Sequence, residues 1–312
     1  MNVALKINVA TYRGTRDGVP ALMQLLKQHG AGATFLFSLG PDHTGRAIRR
    51  IFQRGFLRKI GRTAAISRYG LPTLLYGTVL PGPDIGRRCG DVMRSARDAG
   101  FEVGIHAWDA TRWHDGAARA DEAWTRREME RARERFREIF GEDAQVHGAA
   151  GWQMNRHAYR LTQSLGFGYC SDTRGSCPFV PVFQAEVIAC PQVPTTLPTL
   201  DEIVGREGVT VDKAADHILQ LSRGSLPTGH VYTARAEVEG QKMRAVFEQM
   251  LSSWRAEGHQ LLSLSDYFDA LPDKNLPRYE VGTSETPGHA GTLASQGSEF
   301  LADWQAPAVS TR

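Results

Sequence analysis

Leu5-Lys6-Ile7-Asn8-Val9-Ala10-Thr11-Tyr12-Arg13-Gly14 is the stretch on which the reading of the whole chain turns. Its apolar centre and the turn residues Arg13-Gly14 predict an opening β-strand. Side chains alternate across a strand, so Lys6, Asn8 and Ala10 share one face while Ile7 and Val9 share the other. In a chain that alternates strands with helices, reacting groups gather where the strands end. Here the two positions aimed at such a site carry an amide and a methyl group.

Working outward, the alternation is sustained. Thr15 caps a predicted helix with Val19, Leu22, Met23 and Leu26 on one face and Gly30 as its stop. Ala33–Ser38 reads as a buried strand, and Asp84–Ala99 as a helix ended by Gly100. Further strands are expected at Phe101–His106, Val146–Ala150, Gly168–Ser171, His230–Ala236 and Gln260–Leu264. Helices are expected at Trp124–Phe140, Asn155–Leu165, Val211–Leu221 and Lys242–Ala256. About seven such units call for parallel strands with crossover helices, closed as a barrel rather than an open sheet. Cys177–Pro198 reads as irregular and proline-rich. From residue 272 glycine, serine, threonine, proline and alanine dominate, so 1–271 is the expected barrel and 272–312 an expected disordered tail.

Composition bounds the function. With 312 residues, 41% hydrophobic and 23% charged, the chain suits one large soluble α/β domain. A net charge of +3 gives no reason to invoke nucleic acid. Four cysteines without C-x-x-C spacing read as reduced thiols. No basic-then-apolar leader and no apolar run of spanning length is visible, so neither secretion nor a membrane span is expected.

Residues 46–80 break the alternation. Arg46, Arg49, Arg50, Arg54, Arg58, Lys59 and Arg62 interleave with Ile48, Ile51, Phe52, Phe56, Leu57 and Ile60, and residues 46–62 contain no acid. A basic amphipathic stretch of this kind suits an anionic membrane surface, with apolar side chains in the lipid boundary and arginines on phosphates.

Polar, glycine-containing stretches follow the predicted strands: Tyr12–Arg16, Gly40–His43, His106–Asp109, Gly148–Gln153, Ser171–Gly175 and Arg235–Gly240. At one end of a barrel they would form a pocket rich in Arg, Asp, Glu and Trp, suited to a sugar bearing an anion. With Thr11–Pro20, Gly40-Pro41-Asp42, His106-Ala107-Trp108-Asp109, Ala149–Trp152, Arg174-Gly175, Pro198-Thr199 and Ala236–Gly240, the chain resembles the polysaccharide deacetylase superfamily. Within it, the chain is similar to the 4-deoxy-4-formamido-L-arabinose-phosphoundecaprenol deformylases. The resemblance implies a distorted (β/α)7 barrel. It also implies a divalent metal of the zinc, cobalt or manganese class, and a lipid-linked amino-sugar substrate of lipid A modification. That substrate lies at the inner face of the bacterial inner membrane, so the expected location is cytoplasmic and peripheral on that membrane. The substrate-binding residues it implies are Arg13, Trp152, Asp172, Arg174, Glu237 and Glu239.

The resemblance fails where it implies the chemistry. It implies Asp-x-Asp on the first strand, a base and then a metal ligand, where this chain has Asn8 and Ala10. It implies His-x-x-x-His on the metal, where His106 is followed by Ala110. It implies a histidine acid where Arg235 stands. One imidazole is a poor substitute for the three ligands of a catalytic zinc site. Asn8 takes up no proton, and Arg235 stays protonated. The expectation is a metal that is absent or weakly held, and binding of a lipid-linked amino sugar without turnover. The alternatives are an active enzyme with relocated ligands such as Asp109, His114 or His147, and a membrane-surface scaffold of the same fold.

Overall fold

Every residue of the opening strand after Asn2 is buried, because neighbouring strands flank it on both sides. The computed structural model describes residues 1–47, 73, 75–289 and 291–301. In chain order the main sheet contains β1 (Asn2–Val9), β2 (Thr34–Ser38), β3 (Glu102–Ala107), β4 (Val146–His147), β5 (Tyr169–Cys170), β8 (His230–Arg235) and β9 (Gln260–Leu262). A second sheet contains β6 (Val180–Phe183), β7 (Glu186–Val187), β10 (Arg278–Glu285) and β11 (Thr292–Glu299).

The main sheet has the order β5-β4-β3-β2-β1-β8, with β9 pairing to the start of β1, and all its pairs are parallel. The helices that return the chain are α1 (Val19–Gln28), α2 (Ile85–Asp98), α3 (Ala110–Gly116), α4 (Glu122–Phe140), α5 (Arg156–Ser164), α6 (Leu200–Ile203), α7 (Val211–Ser222), α8 (Arg244–Ala256) and α9 (Leu264–Asp269). Their apolar faces, such as Val19, Leu22, Leu25 and Leu26 of α1, pack on Val3, Leu5, Ile7 and Val9 in one core. Side-chain caps start α2 and α5 where the sequence places them, Asp84 accepting from Arg87 N and Asn155 from Ala158 N; Ser263, accepting from Asp266 N, starts α9, which the sequence reading did not expect.

The sheet forms an arc rather than a closed ring of strands. The gap between β5 and β8 is spanned by residues 191–197. Cys170 N donates to Pro191 O (2.8 Å) and Val193 N to Cys170 O (2.7 Å) on one side. Leu197 N donates to Val231 O (3.2 Å), and Val231 N donates to Thr196 Oγ1 (2.9 Å), on the other. Proline supplies no N–H, so this segment with Pro191 and Pro194 closes the barrel by scattered bonds instead of a ladder.

Two expectations need correction. The stretch Cys177–Pro198 contains β6 and β7, and residues 278–285 and 292–299 of the expected disordered tail are the paired strands β10 and β11 of a hairpin, whose β10 pairs with β6. The hairpin also bonds to the main domain: Arg174 N donates to Ala294 O (2.9 Å) and Gln296 N to Arg174 O (2.8 Å). These partners supply the order that a composition low in apolar residues does not suggest. The hairpin turn sits on α6 at Gly288, where φ is +88° and a Cβ would lie 2.0 Å from Glu202 O. Gly288→Val should raise the hydrogen-exchange rate of the hairpin amides by roughly 5- to 30-fold, because left-handed backbone alone costs a side chain-bearing residue about 1–2 kcal/mol. Unchanged exchange would show that the turn is not what fastens the hairpin.

Residues 302–312 and most of the basic stretch lie outside the described residues, including Arg49, Arg50, Phe52, Arg54, Phe56, Arg58 and Lys59. Arg46 is described, and its Nε donates to Gly77 O at 2.8 Å. Among the described residues no helix is long and apolar enough to cross a membrane.

Candidate functional site

Asn8, the last but one of the buried run of β1, stands beside Arg235, its register partner on β8. Lys6 lies two residues earlier on the same face, fully buried, and its Nζ donates to Ser171 O. The ammonium stands 5.4 Å from the centre of the Trp152 ring. Burial lowers the Lys6 pKa from 10.5 to about 7, with Asp172 pulling it back up. Room for this side chain comes from Gly148, where a Cβ would meet Leu36 Cδ1 at 2.3 Å and Lys6 Cε at 3.2 Å.

His106, the last but one residue of β3, is 3% exposed, with Nδ1 2.7 Å from Gly148 O. Burial first, and then the Lys6 charge, push its pKa down to about 3, so the ring is neutral near pH 7. Around it, Ala10 follows β1 and Ala110 opens α3. Both carry methyl groups and no donor. The divalent metal that the resemblance implies would need three ligands at 10, 106 and 110. The side chains present supply one imidazole, so they do not fit that ion. Arg235 carries its charge to Asp201 Oδ2 at 2.6 Å.

Trp152 and Arg174 are brought together, with the guanidinium 5.0 Å from the indole centre. Arg174 Nη2 donates to Glu202 Oε2 (3.2 Å), which also accepts from Thr199 N (2.8 Å). Burial alone would raise the Glu202 pKa, but His289, Arg174 and the Thr199 N–H outweigh it and hold it low. His289 reaches this carboxylate from the hairpin, Nδ1 3.6 Å from Oε1, with its ring 6.0 Å from Trp152 and 6.1 Å from His114. Among the described residues the protein offers no hydrogen-bond partner to Asn8 Oδ1, Trp152 Nε1, Arg174 Nη1 or the Ser171 and Thr173 hydroxyls. Trp152 and Arg174, in contact with each other, thus keep a buried N–H each for a ligand. A groove of about 310 Å³ opens beside it, lined by Arg174, Pro198, Glu202, His217, Thr286 and Pro287.

Other residues expected at the site have different work. Glu237 accepts from Ala10 N (2.7 Å) and Thr11 N (2.8 Å), bracing the end of β1. Glu239 accepts from Tyr232 Oη (2.8 Å) and Arg235 N (2.9 Å), and burial pushes its pKa up to about 7. Asp172 is fully buried and engaged by His147 and by Ala149 N. Arg13 stands 3.8 Å from Asp17 and is 37% exposed, at the rim. Asp109 caps α3 and lies 2.5 Å from His43 Nδ1, and His114 faces His289, so neither joins His106 as a ligand set.

A larger hollow of about 570 Å³, lined by Glu102, Tyr169 and Phe268 among others, lies at the opposite end of the strands. Its half-buried Glu102 is already taken by Thr34, Tyr169 and Ser265.

Two residues of the centre went unread in the sequence. Lys6 was legible as a lysine between Leu5 and Ile7 on the face of Asn8. His289 had only the alternation of Tyr279 and Val281 to hint that its segment is ordered.

Parallel strands, reacting positions at their C-terminal ends and an arc closed by an irregular segment define a family that the sequence itself matches. The polysaccharide deacetylase family profile matches residues 10–170, and the chain belongs to that family. It is 35% identical over 297 residues, 95% of each chain, to a Shewanella sediminis protein named "Probable 4-deoxy-4-formamido-L-arabinose-phosphoundecaprenol deformylase ArnD". A protein of Wigglesworthia glossinidia brevipalpis with the same name is 32% identical over 284 residues, 91% of this chain and 98% of that one. A polysaccharide deacetylase family structure from Mycobacterium smegmatis superposes with a TM-score of 0.63 at 16% identity, covering 91% of this chain and 94% of its own. That likeness speaks to the fold.

Proposed function

We propose that the protein binds 4-formamido-arabinose carried on undecaprenyl phosphate and does not release the formyl group. The observation that carries this reading is the contrast within one site. Trp152 and Arg174 stand in contact, each with a buried polar atom that no protein group engages, while Asn8, Ala10, Ala110 and Arg235 hold the positions where the resemblance implies a base, two ligands and an acid. The indole supplies a face for a sugar ring, and the guanidinium suits a phosphate. Hydrolysis lacks the carboxylate base and the imidazole acid at the positions where the resemblance implies them, and His106, its pKa pushed down to about 3, is a weak base. The kinship with proteins named as deformylases supports the choice of ligand.

In the same reading the basic stretch 46–80 holds the protein on the inner face of the bacterial membrane. Vesicles of anionic lipid, with and without a polyprenyl-phosphate-linked 4-formamido-arabinose, test both parts. The protein should bind anionic vesicles in a manner weakened by salt, and more tightly when the sugar is present. Arg174→Lys keeps the charge but loses the planar fork, and should weaken the sugar-dependent part by roughly 10-fold. Equal partitioning onto neutral vesicles, or no response to the sugar, would sink the reading.

A further inference from the structure

The register of the main sheet assembles a second cluster, one strand beyond His106. His147 on β4 and Cys170 on β5 are direct partners. Asp172 follows two residues after Cys170, which keeps it on the same side of the chain. His147, Cys170 and Asp172 each bring one ligand-capable atom within 4.8 Å of the others. The closing segment adds Cys190, whose Sγ lies 3.5 Å from Cys170 Sγ. All four residues are 2% exposed or less.

We propose that His147, Cys170 and Asp172 form a buried structural site for a thiophilic divalent cation such as zinc, which Cys190, outside that group as it stands and donating to Phe167 O, completes by turning its Sγ in from beside Cys170 as fourth donor. This is a different place from the family's metal position, and it stands independently of the ligand-binding reading. An imidazole, two sulfurs and one carboxylate oxygen make a donor set that selects zinc or cobalt over magnesium, calcium or manganese. Two metal–sulfur bonds of ~2.3 Å at a tetrahedral angle place the sulfurs about 3.8 Å apart, and the observed separation is 3.5 Å. His147 Nδ1 and Asp172 Oδ1 are 2.7 Å apart and would open by about 0.6 Å to share one ion.

The charges also balance. Two thiolates and a carboxylate exceed a divalent ion by one negative charge, and the Lys6 ammonium, donating to Ser171 O between Cys170 and Asp172, supplies the missing positive one. Without an ion, burial pushes the Cys170 thiol well above its usual range, and a bound cation reverses that preference. Binding releases the two thiol protons to solvent. Because the site has no solvent-facing ligand, the ion enters as the chain folds.

The experiment is metal analysis of the purified full-length protein, followed by refolding with cobalt(II) in place of zinc. The expected result is one ion per chain and, with cobalt, sulfur-to-metal charge transfer together with tetrahedral d–d bands. Cys170→Ser should lose the ion, Cys190→Ser should weaken retention against chelator at least about 10-fold, and His106→Ala should leave content and spectrum unchanged. If Cys170→Ser does not fold, wild-type melting with and without chelator replaces it, and a fall in Tm on chelation is expected. Metal-free protein without a cobalt–sulfur band would overturn the proposal. So would an ion that His106→Ala removes and Cys170→Ser retains.

Discussion

Restoring Asn8→Asp, Ala10→Asp, Ala110→His and Arg235→His in one chain is expected to yield metal-dependent release of formate from a lipid-linked 4-formamido-arabinose, at least about 10³-fold above the parent protein. The prediction follows from where the substitutions fall. Asn8 and Arg235 are register partners at the ends of β1 and β8, Ala10 follows β1, and Ala110 opens α3 after His106. None of these side chains holds up the fold: the Ala10 amide is braced by Glu237, and α3 is capped by Asp109. Arg235 is the exception, because its removal leaves Asp201 without the 2.6 Å ion pair, so a histidine there has to accept that carboxylate as its neighbour. Formate release would be measured with each single reversion as control. A folded quadruple variant that binds the ligand but releases nothing would mean that the pocket, and not only the four side chains, has diverged.

The second large effect concerns Lys6. Burial lowers its pKa in the folded protein from 10.5 to about 7. The unfolded chain therefore binds more protons between those values, and stability rises with pH across that window and is flat below it. From about pH 6.5 to about pH 9.5 the gain attributable to Lys6 is about 3 kcal/mol. Lys6→Met removes the titrating group while filling a similar volume, so its stability should lack that gain. With both proteins stripped of metal, the variant should be the more stable at the lower pH, less the cost of leaving Ser171 O without its donor. Urea unfolding of both proteins at the two pH values measures the difference. Parallel pH dependences would show that Lys6 keeps its proton when folded.

What the sequence made legible follows from periodicity. The strands of the main sheet are short runs with strong burial, and their helices carry caps such as Asp84 and Asn155, so their order and direction were readable. Residues 191–197 were not, because a segment that pairs with β5 at one end and β8 at the other has no period to read. The β10–β11 hairpin was missed because its strands are mostly exposed, and its order depends on bonds to β6 and Arg174 made far away in sequence. At the site, Asn8, Ala10, His106, Ala110 and Arg235 were legible as types at positions. That Glu237 and Glu239 spend their carboxylates on backbone and Tyr232 was not, since an acid bracing a strand end and an acid facing a ligand look identical in sequence.

The central claim is that this family member holds its ligand at a centre stripped of the hydrolytic groups. It is tested most directly by incubating the unmodified protein with polyprenyl-phosphate-linked 4-formamido-arabinose, with zinc, cobalt or manganese added in turn, while following bound ligand and free formate in the same sample. The account predicts saturable binding and no formate above the protein-free control under any of the metals. Metal-stimulated formate release that disappears in His106→Ala would contradict it.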